Sequence, residues 1–184
     1  AKSTIDGTSP LHLAAHKGKV SVAAELVRLE ADVNARDMHG ETPLYWSIEK
    51  GEIAVTFLLL AMGKADVFAR NAEGRLPIHL AVMKDNDVMV RLVCRWMLQL
   101  KALNPQCFSE LALPVLFSDD YGNTPFHYIQ NAGCAKGLLE FPDLHKLLHL
   151  SNYEGETVLH MLAKASTCES LEVCKTLLPH LPAD

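Results

Sequence analysis

The stretch GTSPLHLAA, Gly7 to Ala15, decides the fold, because it returns four more times. It comes back as GETPLYWSI from Gly40, GRLPIHLAV from Gly74, GNTPFHYIQ from Gly122 and GETVLHMLA from Gly155. Successive phrases start 33, 34, 48 and 33 residues apart. Self-similarity at one fixed period marks an array of repeated supersecondary units rather than one irregular core.

Each residue type in the phrase has a local reason. The glycine permits a tight turn, Ser9, Thr42, Thr124 and Thr157 suit an N-cap, and Pro10, Pro43, Pro77 and Pro125 suit the first helical position. A helix therefore begins at each phrase, faces pairs such as Leu11 and Leu13 or Leu159 and Leu162 inward, and stops after two turns at Gly18, Gly51 or Gly133. A second amphipathic segment follows in each unit: Val20 to Leu29, Ile53 to Met62, Val88 to Leu100, Pro142 to His149 and Leu171 to Leu178. Between units lie turn-rich links such as Ala31 to Gly40, where Asp and Asn bond their own backbone and the chain projects as a finger.

The phrase G-x-T-P-L-H-x-A at this period, with the tail Ala31-Asp-Val-Asn34, resembles the ankyrin repeat, and the resemblance covers essentially the whole chain. It implies an all-α repeat solenoid: helix-turn-helix units stacked with β-hairpin-like fingers along one edge and a concave binding groove. One domain, 1–184, is expected, with repeats at about 4–36, 37–70, 71–118, 119–151 and 152–184. The departures from the pattern are Leu76 in place of the cap, Tyr45 in place of the histidine and Val158 in place of the proline, so repeat three is expected to have the weakest helix start. Repeat four is expected to carry a stretched inter-helix loop from Gly133 to Phe141 and a short link from Leu150 to Glu154.

The interval from Gly74 to Gly122 holds an insertion of about fifteen residues, 101–117, broken by Asn104-Pro105 and Leu113-Pro114. Its Phe108, Leu111, Leu113, Val115, Leu116 and Phe117 imply packing back on the stack. Two roles stay open for it, a cover for the array or a partner contact.

The composition bounds the function. At 184 residues and 49% hydrophobic content, a substantial core can form. A net charge of −5 gives no basic stripe, so nucleic acid is not expected as a partner. Cys94, Cys107, Cys134, Cys168 and Cys174 are scattered among apolar residues and read as reduced and intracellular. There is no Asn-X-Ser/Thr acceptor, and the longest nearly apolar run, Ile53 to Met62, is too short to span a bilayer. A cytoplasmic or nuclear monomer is expected, without membrane insertion. With no initiator methionine at Ala1, the sequence reads as a piece of a longer protein.

Catalytic and metal patterns are weak. His12, His79, His127 and His160 recur five residues after the repeat glycine, a regularity that is structural; in the ankyrin pattern this imidazole joins turns by hydrogen bonds. His145 and His149 share a helical spacing but lack the glutamate of a zinc protease motif, and no Cys-x-x-Cys, phosphate loop or nucleophile elbow is present. No cofactor and no metal are expected. Catalysis or small-molecule binding built on Cys134, His145 and His149 is the reading from another class.

Mapping the family pattern onto the chain selects finger tips and first-helix ends as the partner-binding surface. Repeat two offers Met38, His39, Glu41, Tyr45, Trp46, Glu49 and Lys50, and repeat three Glu73, Arg75, Met83 and Lys84. Repeat four offers Asp120, Tyr121, Asn123 and Asn131, and repeat five Tyr153, Glu154, Glu156 and Lys164. Aromatic and methionine anchors ringed by charge suit an interface centre. Tyr121 and Tyr153, with Met38 and Trp46, are expected to grip an extended peptide or a helix, and the alternative for Trp46 is burial between repeats. Leu26 to Asn34, LVRLEADVN, also resembles a substrate of the asparaginyl hydroxylase that acts on ankyrin fingers, with Asn34 as acceptor or as an ordinary turn residue. The expected function is a protein-protein interaction module, an adaptor, scaffold or targeting domain; the alternative within that class is a microbial effector that engages host proteins.

Overall fold

The computed structural model describes residues 6–103, 117–141, 143–165 and 167–181. Among them the fold is all-α, in helix-turn-helix units of the repeat-solenoid class, with no strand. The helices are α1 (Pro10–His16), α2 (Val20–Arg28), α3 (Pro43–Glu49), α4 (Ile53–Ala61), α5 (Pro77–Met83), α6 (Asp87–Leu103), α7 (Ala132–Leu139), α8 (Val158–Ala165) and α9 (Cys168–Leu177). Short 3-10 turns occupy Pro125–Tyr128, Leu144–Leu147 and Leu178–His180.

The chain divides at Leu80 and Ala81 into two compact units. In the first, α1 packs on α3 and α2 on α4, so that like elements of neighbouring repeats stack. Leu11, Ala15, Leu44, Ile48, Val55 and Leu59 are buried between them, each large aliphatic among them contributing about 1.5–3 kcal/mol. Gly18 and Gly51 end the inner helices at φ of 63° and 71°, and Asp85 takes the same left-handed turn in repeat three.

In the second unit α6 packs on α7, α7 on α9, and the Pro125–Tyr128 turn on α8. Two expectations are corrected here. Repeat four has no long inter-helix loop: Gly133 to Leu139 lies inside α7, which Asn131 caps by accepting from the Cys134 N–H at 2.7 Å. Its first helix shrinks instead to the 3-10 turn, and Leu144–Leu147 is a further 3-10 turn rather than the second helix placed at 142–149. The insertion also starts later than expected, because Lys101 to Leu103 form the last turn of α6. There the Lys101 ammonium meets Asp143 Oδ2 at 2.7 Å and lies over the Phe141 ring. Phe117, at its far end, is fully buried edge-on to Phe141. The other apolar residues named for the insertion, 108 to 116, lie outside the described residues.

A polar ladder spaces the repeats within each unit. His12 Nδ1 accepts from the Ser9 N–H at 3.1 Å, and His127 Nδ1 from the Thr124 N–H at 3.1 Å. Those amides can only donate, so both rings carry their proton on Nε2. That Nε2–H donates to the carbonyl just after the next repeat glycine: Glu41 for His12 at 3.0 Å and Glu156 for His127 at 3.1 Å. Leu76, which lacks a capping hydroxyl, still donates its N–H to His79 Nδ1 at 3.0 Å.

Tyr45 departs from the histidine pattern but keeps the long-range half of the link. Its ring is 1% exposed, and its hydroxyl donates to the Arg75 carbonyl and lies 3.2 Å from that of Ala69. Its assignment to the partner-binding surface is therefore corrected. The local half of the link is lost: the hydroxyls of Ser9 and Thr124 sit 2.8 and 3.0 Å from a histidine Nδ1, whereas the buried Thr42 Oγ1 has no hydrogen-bond partner.

Thr42→Val should therefore leave the melting temperature unchanged or raise it, while Thr124→Val should cost about 1 kcal/mol; equal losses in thermal or urea unfolding would reject this account. Burial holds the His127 pKa below its ordinary value of 6.5, against the smaller opposing effect of its own hydrogen bonds. Its contribution is thus complete above about pH 6.5 and is lost as the pH falls below it, where the unfolded chain takes up the proton first. His127→Gln should lower the melting temperature at pH 7.5, and the gap from the wild type should narrow by pH 5.5.

Candidate functional site

One carboxylate or amide builds each finger. Asp37, Asn71, Asp119 and Asn152 stand three residues before a repeat glycine, and the Oδ1 of each accepts two backbone N–H groups. The donors are His39 and Glu41 (2.8 and 2.9 Å), Glu73 and Arg75 (both 3.0 Å), Tyr121 and Asn123 (3.0 and 2.8 Å), and Glu154 and Glu156 (3.0 and 2.9 Å). Each turn is closed by a backbone bond from the same residue, such as Asp119 N–H to Asn123 O at 2.9 Å. Satisfying these donors internally turns the two intervening side chains outward.

The remaining atom of the finger residue is also accounted for. Where it is a carboxylate oxygen, an aromatic donor six residues after the glycine reaches it: Trp46 Nε1 to Asp37 Oδ2 at 2.9 Å and Tyr128 OH to Asp119 Oδ2 at 2.6 Å. Where it is an amide, that aromatic position holds Leu80 or Met161, and the NH2 turns back to the preceding finger. Asn152 Nδ2 donates to Asn123 Oδ1 at 3.0 Å, and Asn71 bonds the Glu41 carboxyl. Burial, followed by the charge of Asp37, raises the Glu41 pKa.

In the first unit the fingers at Met38 and Ala72 are joined by a bond from Ala72 N–H to His39 O at 2.8 Å. Met38 is 70% exposed, His39, Lys50 and Glu73 are exposed, and Glu41, Glu49 and Arg75 are half-buried. Trp46 is half-buried too, pinned to Asp37 with its ring edge-on to His12 and His16, so it braces repeats one and two. Asn34 is exposed, and its Oδ1 accepts from the Asp66 N–H at 2.9 Å.

The second unit gathers most of its candidates in one place. Tyr153 N–H donates to Tyr121 O at 3.1 Å, which sets the two finger tips side by side. Tyr121 is 54% and Tyr153 80% exposed. Gly122 supplies the seat: a methyl group there would come within 2.8 Å of the Tyr153 ring. Between the fingers lies a recess of about 330 Å³ lined by Asp120, Tyr121, Asn123, Tyr153, Glu154, Glu156 and Met161. Lys164 pairs with Glu156 at its rim, and that bond, with further help from Glu154, raises the lysine pKa. A second recess of about 470 Å³ opens where repeat four has its short 3-10 turn, lined by Met83, Tyr128, Ile129, Met161 and Ala165. Met161 belongs to both.

Lys84 is exposed outside both recesses, and Asn131 is taken up in capping α7 and in bonding the Asp85 carbonyl at 3.3 Å. Sequence reading missed Tyr128, Met161 and Gly122. Tyr128 could have been found, because it stands in register with Trp46. The group considered for catalysis does not come together as a reactive site. Cys134 is fully buried, with burial foremost in pushing its thiol up to about 12, while His145 and His149 face solvent. Among the described residues no cluster of three metal-ligating side chains forms, and no helix is long and apolar enough to cross a membrane.

Residues 1–71 match the family model for ankyrin repeats (3 copies). Over 58 residues, 32% of this chain and 2% of the relative, the sequence is 45% identical to neurogenic locus notch homolog protein 2 of Homo sapiens. It is 28% identical over 179 residues to NF-kappa-B inhibitor zeta of Homo sapiens, covering 86% of this chain and 25% of the relative. Over 82 residues, 45% of this chain and 7% of the relative, it is 32% identical to Rabankyrin-5 of Mus musculus. The chain thus spans a quarter or less of the length of these relatives. The unit matched at the start is built again, with its capped turns and stacked helix pairs, as far as Leu177, and residues 1–71 belong to the ankyrin-repeat family.

Proposed function

We propose that the chain is a protein-binding module of the adaptor, scaffold or targeting kind, which holds an extended segment or a helix of another protein on its finger tips and inner-helix ends. The observation that carries this reading is the pair Tyr121 and Tyr153. Neither ring serves the core, both are seated by fixed backbone, and they border a recess with methionine beneath and carboxylates around. Large aromatics held in place at low entropic cost beside apolar pockets are the composition of interface hot spots. In the first unit the reading extends to Met38, His39, Glu49, Lys50 and Glu73. The four described cysteines are unpaired, which supports an intracellular setting, cytoplasmic or nuclear, and the module is read as a monomer without nucleic acid, cofactor or metal.

Tyr121→Ala with Tyr153→Ala should release proteins that the wild-type chain retains from cell lysate, and should weaken the binding of any one of them by at least about tenfold, since hot-spot truncations cost 2 kcal/mol or more. The melting temperature should not move. Undiminished retention by the folded variant would reject the anchor role.

Asn34 is proposed as a hydroxylation site on the strength of its exposure and of the LVRLEADVN resemblance. Coexpression with an ankyrin-directed asparaginyl hydroxylase should add one oxygen to the intact mass, and Asn34→Ala should abolish the addition. An unchanged wild-type mass would dismiss the idea.

A further inference from the structure

The recess between the fingers of repeats four and five is not only aromatic but acidic. Asp120 and Glu154 stand exposed on the two tips beside the tyrosines, and Glu156 forms the wall. The protein itself shows what such a site attracts. The Lys164 ammonium is drawn to Glu156, and its protonated form is favoured first by that hydrogen bond and then by the charges of Glu156 and Glu154. Lys164 is a long side chain with 62% of its surface in solvent, so a competing cation can displace it at small cost. Meanwhile the phenol faces of Tyr121 and Tyr153 offer the negative face of an aromatic quadrupole to an incoming cation.

The second recess is chemically different and adjoins the first through Met161. It exists because repeat four replaces a two-turn inner helix by the single turn Pro125–Tyr128 followed by extended Ile129. Met83, Ile129, Met161 and Ala165 give it an apolar side, and Gln130, Thr167, Glu169 and Ser170 line the other.

We propose that these adjoining recesses read one feature of a partner protein: an extended segment with an arginine or lysine side chain between the two tyrosine-bearing tips and an apolar side chain next to it in the Met83–Ile129 recess. Charge complementarity selects the occupant. A carboxylate-bearing or phosphorylated segment would meet Asp120, Glu154 and Glu156 with like charge, and a purely apolar segment would desolvate the Asp120 and Glu154 carboxylates without supplying a counter-charge. Of the two basic side chains, arginine has the planar face that stacks on a phenol ring while its N–H groups reach a carboxylate. The inference rests on the protein-binding reading above, and adds to it the chemistry of the partner.

The test pans the 184-residue chain against a displayed library of random linear peptides, then measures selected peptides by titration calorimetry. The expected peptides share an arginine or lysine beside an apolar residue. Replacing that basic residue by glutamine, or the protein's Asp120 and Glu154 by asparagine and glutamine, should weaken binding about tenfold. Raising the salt above physiological strength should weaken it further. Tyr121→Ala with Tyr153→Ala should abolish it, with thermal melts showing every variant folded. Peptides that need the tyrosines but are indifferent to the glutamine exchange and to the charge variants would overturn the basic-segment inference and leave the protein-binding reading standing. Failure to select any peptide that depends on the tyrosines would overturn both.

Discussion

The stacking within each unit depends on one buried link: a side chain at the third position of an inner helix donating to the carbonyl just after the next repeat glycine. His12 to Glu41, Tyr45 to Arg75 and His127 to Glu156 are three versions of it. In the two histidine versions the local end fixes the helix start, and in all three the distant end fixes the following finger, so a single ring sets the spacing between units. Away from water, such a link is costly to break, because both the donor, a ring N–H or the Tyr45 hydroxyl, and the carbonyl lose their partners. The tautomer follows from the same constraint, since an amide that can only donate leaves Nδ1 as acceptor.

Finger geometry follows from polar satisfaction in the same way. Every described finger carries Asp or Asn at the place where an acceptor must receive two backbone N–H groups, and the choice between them is matched elsewhere. Asp goes with an aromatic donor, Trp46 or Tyr128, and Asn with Leu80 or Met161 and a bond to the finger before it. Either pairing matches both polar atoms of that side chain, and either frees the two residues before the glycine to project. Those two positions carry Met38 and His39, Asp120 and Tyr121, Tyr153 and Glu154. The chemistry offered to a partner is thereby separated from the chemistry that holds the turn.

The second unit shows how a regular scaffold acquires a particular site. Shortening the first helix of repeat four to one 3-10 turn opens the recess over Ile129, while the intact fingers on either side keep Tyr121 and Tyr153 side by side. Gly133 and Gly137 let this happen without loosening the core. A methyl group on Gly137 would lie 3.0 Å from Val90, and one on Gly133 3.0 Å from Asp87, so α7 packs against α6 at close range. The site is a local departure held between regular neighbours.

The sequence by itself determined the repeat, the start of each inner helix, the structural role of the histidines and the finger tips that face outward, because each follows from short-range rules. Glycine, threonine and proline at fixed offsets dictate where a turn ends and a helix begins, whatever lies beyond. Only the tertiary structure decided the fate of Tyr45 and the layout of repeat four. An aromatic in place of a histidine reads as a surface anchor until the next finger is seen to place a carbonyl within reach of its hydroxyl. Gly133 reads as a helix stop until α6 is seen to approach so closely that a side chain there would crowd Asp87. In both cases the deciding partner lies about thirty or more residues away, and no local preference encodes a contact at that distance.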